Sequence, residues 1–107
     1  MPQKKQARPQ SKELEAILGK IRKLSAQIRN EYKAEVIGIF GSYARGEQKK
    51  GSDLDVLVRF LKDATLFDFV GLADFLEKKL NMKVDIVSEG GVRKELKKQI
   101  FGEAVEL

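Results

Sequence analysis

Apolar residues recur at helical spacing after Ser11. They lie three or four positions apart, on one face of an amphipathic helix: Leu14, Ile17, Leu18, Ile21, Leu24 and Ile28. Ser11 suits an N-cap, because its hydroxyl can accept a hydrogen bond from a free N–H of the first turn. The pattern predicts a helix from Ser11 to about Tyr32. Residues 1–10 are polar and basic, so we expect a flexible basic tail followed by a single domain over residues 11–107.

Three β-rich runs follow this helix, at residues 34–40, 54–60 and 83–88. A short helical turn over residues 42–46 and a polar loop over 47–52 separate the first two. Because so short a connection favours a hairpin-like return, these two strands should be antiparallel. The second and third strands are joined through a helix, so they should be parallel with a right-handed crossover. We therefore predict an α+β fold in two layers, with a small mixed sheet and helices mainly on one face.

The helix between the second and third strands should run from Leu66 to about Leu80, begun by Thr65 and Asp68 as a capping box. Its apolar residues cover more than one face, which in so small a domain favours a subunit interface. A last helix should run from Val92 to about Phe101 and end at Gly102 in a left-handed C-cap. Residues 104–107 then add a short edge strand.

Cysteine and histidine are both absent from the chain. Their absence excludes disulfides, thiolate zinc sites, Ser-His-Asp hydrolysis and Cys-His chemistry. A bound metal ion must therefore have oxygen ligands, which points to Mg²⁺ or Mn²⁺. The sequence has no apolar run long enough to cross a membrane and no signal-peptide segment, so we expect a cytoplasmic protein.

The net charge of +5 is concentrated at the start of the chain. Residues 1–33 hold nine Lys and Arg against three Glu, whereas the remainder is nearly neutral. A solvated basic helix face explains this best, and contact with RNA or an acidic partner is the second interpretation.

Two aspartates, Asp53 and Asp55, stand two positions apart at the start of the second strand. Side chains alternate faces along a strand, so both carboxylates should project from the same side. Asp85 interrupts the apolar third strand, where an acid needs compensation. If the second and third strands are neighbours, the three carboxylates share one cleft and can hold two metal ions about 4 Å apart.

The turn Gly41-Ser42 opens the short helical segment before these carboxylates. Glycine lets the backbone approach a phosphate closely, and helix N-terminal N–H groups and a Ser hydroxyl are phosphate donors. Arg45 can add positive charge near a triphosphate, although an ion pair with Glu47 is an equal alternative. Ser52 is a weaker candidate for nucleotide binding. The Walker pattern is absent, so a P-loop is rejected.

This segment resembles the minimal nucleotidyltransferases of the DNA polymerase beta superfamily. Their signature is an apolar strand, Gly-Ser, about ten residues, Asp-apolar-Asp, and a third acid on a later strand. The resemblance runs from about Val36 to the C-terminus. It implies that Asp53 and Asp55 bind the metal ions, and that Asp85 completes the site and acts as base.

The resemblance also implies a function: transfer of AMP from Mg-ATP to a hydroxyl of another protein. Small proteins of this type are commonly antitoxins paired with a HEPN-domain ribonuclease toxin, which they silence by adenylylating a tyrosine. Two alternatives remain open at this point. One is a catalytically silent module that binds nucleotide or neutralises a toxin by contact, and the other is nucleic-acid binding through the basic first third.

Overall fold

The computed structural model describes residues 11–107, so the predicted flexible tail lies outside the described residues. Four helices and four strands alternate along the chain, in the order α1 Lys12–Tyr32, β1 Ala34–Phe40, α2 Ser42–Arg45, β2 Leu54–Phe60, α3 Leu66–Leu80, β3 Val84–Ser88, α4 Lys94–Glu103 and β4 Val105–Glu106. A 3-10 turn, Glu89–Gly91, follows β3.

Local signals set the ends of the two long helices as predicted. The Ser11 hydroxyl accepts a hydrogen bond from the N–H of Leu14 at 3.1 Å, and α1 ends at Lys33 in the left-handed conformation. Thr65 and Asp68 form the predicted capping box, in which the Thr65 N–H donates to the Asp68 carboxylate at 2.9 Å. Such a cap contributes about 1 kcal/mol to helix stability.

The sheet has the order β3-β2-β1-β4. β1 and β2 are antiparallel and β2 and β3 are parallel, as the lengths of their connections predicted. β4 pairs antiparallel with β1, so the predicted edge strand is confirmed. At that contact a Cβ on Gly38 would lie 2.5 Å from the carbonyl oxygen of Val105, closer than real atoms approach. β4 can therefore pair with β1 only because residue 38 has no side chain.

The core lies between the sheet and the layer formed by α1 and α3. Alternate residues of β2 and the inner faces of both helices enter this core. The fully buried side chains include Leu54, Val56 and Val58 of β2, Leu14, Leu18 and Ile21 of α1, and Leu72 and Leu76 of α3. Each such side chain stabilises the fold by about 1.5–3 kcal/mol. The opposite face of β2 carries Asp55, which leaves that face for the candidate chemistry.

The start of α3 behaves differently from its second half. Leu66, Phe67 and Val70 are 75%, 89% and 59% exposed, so they form an apolar surface rather than core. This agrees with the prediction that α3 has more apolar surface than the domain itself can cover.

The predicted end of the last helix is wrong. Gly102 lies inside α4, and the helix ends at Ala104, whose φ of −62° is not left-handed. The Ala104 N–H still donates to the carbonyl of Ile100 at 3.0 Å. Because β4 begins at the next residue and pairs with β1, the chain leaves α4 in an extended direction that needs no left-handed residue. Among residues 11–107, no helix is both long and apolar enough to cross a membrane.

Candidate active site

The register of three strands brings an aromatic ring and two carboxylates into one row across the sheet. Phe40 of β1 pairs with Asp55 of β2, and Asp55 pairs with Asp85 of β3. Paired residues on neighbouring strands point to the same side, at a strand spacing of about 4.8 Å. Asp53, two positions before Asp55, belongs to the same side of the sheet. Asp55 is half-buried, whereas Asp53 and Asp85 are exposed.

The electrostatics of this row centre on Asp55. Burial raises the pKa of the Asp55 carboxyl above its ordinary value, and the charges of Asp85 and Asp53 raise that pKa further. The guanidinium of Arg45 acts in the opposite direction and lowers it. Three acids within electrostatic reach of one another favour either protonation of one of them or a nearby cation.

The Gly41-Ser42 turn lies directly against Asp55. Gly41 has φ 75° and ψ −150°, a conformation that is essentially restricted to glycine. A Cβ at this position would lie 2.1 Å from Oδ2 of Asp55. Glycine at this position therefore allows both the backbone conformation of the turn and the close approach of the Asp55 carboxylate. The turn opens α2, whose first N–H groups have no partner within the helix.

Arg45, at the end of α2, is held by two glutamates. Its Nε donates to Glu47 Oε1 at 2.9 Å and its Nη1 donates to Glu103 Oε1 at 3.2 Å. The Glu47 pair is the local alternative considered from the sequence, yet the guanidinium is also close enough to Asp55 to affect its pKa. Arg45 therefore lies near the carboxylates, but its guanidinium forms ion pairs with two glutamates.

Ser52 is not brought to the Gly41-Ser42 turn. Its hydroxyl accepts a hydrogen bond from the Lys49 N–H at 2.8 Å, and its own N–H donates to the Lys49 carbonyl at 2.9 Å. Ser52 therefore closes a turn in the loop between α2 and β2. This arrangement gives no support for a contact between Ser52 and a phosphate held at the Gly41-Ser42 turn.

The donor set suits a hard divalent cation, because carboxylate oxygens are the ligands that Mg²⁺ and Mn²⁺ prefer. Burial and the charges of Asp85 and Asp53 together raise the pKa of Asp55 in spite of the opposing charge of Arg45, and a cation beside Asp55 would favour its ionised form. Within residues 11–107, no group of three acidic side chains lies close enough together to hold a metal ion as the side chains stand.

Two neighbours of the site were not recognised from the sequence. Phe40 immediately precedes Gly41, and the alternation of side chains along β1 could have placed its ring on the Asp55 side. Glu103 is 58 positions away from Arg45, so no local pattern could have paired them.

A mixed sheet with paired carboxylates beside a Gly-Ser turn defines the class of protein, a nucleotidyltransferase. The sequence profile of the nucleotidyltransferase domain family matches residues 21–107, and the chain belongs to this family. A candidate protein adenylyltransferase of Methanocaldococcus jannaschii is 41% identical over 85 residues, which are 79% of this chain and 99% of that protein. The protein adenylyltransferase MntA of Thermococcus cleftensis is 37% identical over 93 residues, 87% of this chain and 91% of that protein.

Solved structures show the same relationship. A candidate minimal nucleotidyltransferase has a TM-score of 0.74 and 40% identity, with 88% of this chain and 95% of that one covered. A toxin–antitoxin structure with AMP-PNP has a TM-score of 0.59 and 32% identity, with 73% of this chain and 61% of that one covered. A tri-AMPylated Shewanella oneidensis HEPN toxin in complex with its MNT antitoxin has a TM-score of 0.55 and 26% identity, with 78% and 61% covered.

These similarities confirm the predicted α+β nucleotidyltransferase fold and membership of the minimal nucleotidyltransferases of the DNA polymerase beta superfamily. They also confirm the prediction of a nucleotidyltransferase enzyme. The roles of individual residues are taken up below as proposals.

Proposed function

We propose that this protein is a Mg²⁺-dependent nucleotidyltransferase that transfers AMP from ATP to a tyrosine hydroxyl of a HEPN-type toxin, and so acts as an antitoxin. The observation that carries the proposal is the row in which Asp55 and Asp85 are side by side, with the Gly41-Ser42 turn against Asp55. ATP as substrate fits the cytoplasmic location expected from the sequence.

The chemistry is an in-line displacement at the α-phosphate. The acceptor hydroxyl attacks phosphorus, the bond to the bridging oxygen breaks, and pyrophosphate leaves. Asp85 takes the proton from the attacking hydroxyl. The backbone at Gly41 and the hydroxyl of Ser42 hold the non-transferred phosphates, and Arg45 offsets their charge. Asp53, Asp55 and Asp85 would hold the Mg²⁺ ions, which when bound offset negative charge on the phosphate oxygens.

Two observations support a protein as the acceptor of AMP. Relatives that match most of this chain are named protein adenylyltransferases, and one structural neighbour is an MNT antitoxin in complex with an AMPylated HEPN toxin. In this chain, the exposed apolar start of α3 (Leu66, Phe67 and Val70) is suited to a subunit interface. Specificity for the acceptor would then depend on the partner as well as on the site.

The decisive experiment incubates the purified chain with a HEPN-type toxin from the same organism, Mg²⁺ and ATP labelled at the α-phosphate. We expect label on the partner, loss of label in Asp53→Asn and Asp55→Asn, and loss of label when the acceptor tyrosine is replaced by Phe. Glu15→Gln is the control, because Glu15 is an exposed acid on α1, outside the carboxylate row and the apolar start of α3.

No label transfer under any divalent metal would overturn the enzymatic proposal. If Asp53→Asn and Asp55→Asn proteins still neutralised the toxin, the catalytically silent alternative would replace it. One observation supports that alternative: within residues 11–107, no three acidic side chains lie close enough together to hold a metal ion.

A further inference from the structure

A cleft of about 700 Å³ opens on the helix side of the sheet, apart from the carboxylates. Its walls come from α1, from the loop before β2 and from the turn between α3 and β3. Ser52 and Lys83 line it and come just before the starts of β2 and β3, but none of the three candidate aspartates lines it. Its volume is within the range of small-molecule sites, about 300–1,000 Å³. It is therefore a second concave site with its own lining.

The rim of this cleft is strongly basic. Four lysines line it, namely Lys20, Lys49, Lys50 and Lys83. Within residues 11–107, no carboxylate lies within salt-bridge distance of any of the four. Uncompensated positive charge around a concave surface attracts anions.

Glu13 is the one acid among the lining residues that the structure describes, and two neighbours engage it. It accepts hydrogen bonds from the Tyr43 hydroxyl at 3.5 Å and from Gln48 Nε2 at 3.3 Å. Burial, followed by the charge of Glu13, raises the pKa of Tyr43, so its hydroxyl stays protonated and continues to donate. Glu13 keeps its charge, so the lining carries four positive charges against one negative charge and remains basic.

The remaining lining narrows the class of ligand. Ala16, Ile17, Leu80 and Met82 offer apolar surface below the lysines. The lining therefore suits a ligand that combines negative charge with an apolar body.

We propose that this cleft binds a nucleotide unit, with its phosphate among the lysines and its base over the apolar surface, at a site distinct from the catalytic one. A nucleotide carries both features in one molecule. The unit can come from a free nucleotide or from an RNA strand, and the two sources share the same chemistry. The assignment does not depend on adenylyl transfer.

The test follows backbone amide resonances of the full chain in low salt with EDTA, while AMP or hexa-adenylate RNA is added. Without a divalent cation the carboxylate site repels phosphate, so we expect shifts at Gly51, Ser52 and Asn81, and little change at Gly41 and Ser42. Saturation by AMP identifies a free-nucleotide site, whereas binding of RNA alone identifies a strand-binding site. Absence of binding by either probe overturns the proposal.

The variant Lys20→Glu/Lys83→Glu should bind about tenfold more weakly. The matched control is Lys62→Glu/Lys94→Glu, with the same charge change on exposed residues outside the cleft. Equally weak binding by both variants would show that the probe is attracted by the overall charge of the protein, and it would overturn the proposal of a site in the cleft. Amide shifts at Gly41 and Ser42 as large as those at Gly51 and Ser52 would place the ligand at the carboxylates instead. A hexaglutamate peptide that binds as tightly as the nucleotides would reassign the cleft to acidic protein segments.

Discussion

Gly41 and Asp55 are in such close contact that a Cβ atom on Gly41 would lie 2.1 Å from Oδ2 of Asp55. The Gly41-Ser42 turn therefore packs directly against the Asp55 side chain, with no room for a Cβ between them. The backbone of Gly41, with φ 75° and ψ −150°, adds a second requirement for glycine.

Gly41→Ala should reduce adenylyl transfer about a hundredfold, because displacement of a catalytic group by about 1 Å has effects of that size. Labelled-AMP transfer under saturating ATP measures the loss. Gly51→Ala is the control, since Gly51 also has positive φ (86°) but open space around its Cβ position. An equal loss in Gly51→Ala would mean that backbone strain, not the contact with Asp55, is responsible.

Asp55→Asn should make the metal-free protein more stable at neutral pH. The folded-state pKa of Asp55 is raised by burial, Asp85 and Asp53, so the folded chain retains the proton at pH values where the unfolded chain has lost it. Stability therefore falls as the pH rises from the unfolded pKa, about 3.9, through the folded pKa, and the gain from Asn should vanish below about pH 3.9.

Urea unfolding of both proteins in EDTA at pH 7 and at acidic pH measures this difference. Asp74→Asn should show no gain at either pH, because Asp74 is exposed and paired with Lys78. A lower midpoint for Asp55→Asn at pH 7 would contradict the prediction.

Glu103→Gln should lower the KM for ATP about two- to threefold with kcat unchanged, since an exposed ion pair such as Arg45–Glu103 is worth no more than about 1 kcal/mol. Removal of this glutamate frees the Arg45 guanidinium for the triphosphate. Arg45→Gln should raise the KM. Steady-state kinetics over a range of ATP concentrations separates KM from kcat, and Glu95→Gln, an exposed acid on the same helix, is the charge-matched control. An identical KM shift in Glu95→Gln would indicate a general charge effect.

Gly38→Ala and Gly19→Ala should have opposite effects on stability. At Gly38 a Cβ would lie 2.5 Å from the Val105 carbonyl oxygen, so Ala should detach β4 and destabilise the fold by about 1–3 kcal/mol. At Gly19, within α1, the Cβ position meets no atom within 4 Å, and Ala should stabilise by about 0.5–1 kcal/mol. Chemical denaturation measures both, and a neutral Gly38→Ala would show that β4 is dispensable.

Much of the fold follows from short-range patterns. The ends of α1 and α3 are set by caps a few residues long, and the directions of β2 and β3 follow from the lengths of the connections between strands. The wrong prediction at Gly102 also came from a short-range pattern. A local preference for a left-handed cap was outweighed by the pairing of β4 with β1, which the sequence around Gly102 does not encode.

The sequence by itself determined the candidate chemistry: oxygen ligands only, two aspartates on one strand face, a third acid on a later strand and a Gly-Ser turn. Strand alternation and residue type suffice for that. Only the tertiary structure decided that Asp85 pairs with Asp55, that Gly41 contacts the same carboxylate, that Arg45 is held by Glu103, and that four lysines surround a separate cleft. These relationships join residues far apart in the chain, and they are fixed by strand register and helix packing, which depend on the whole core at once.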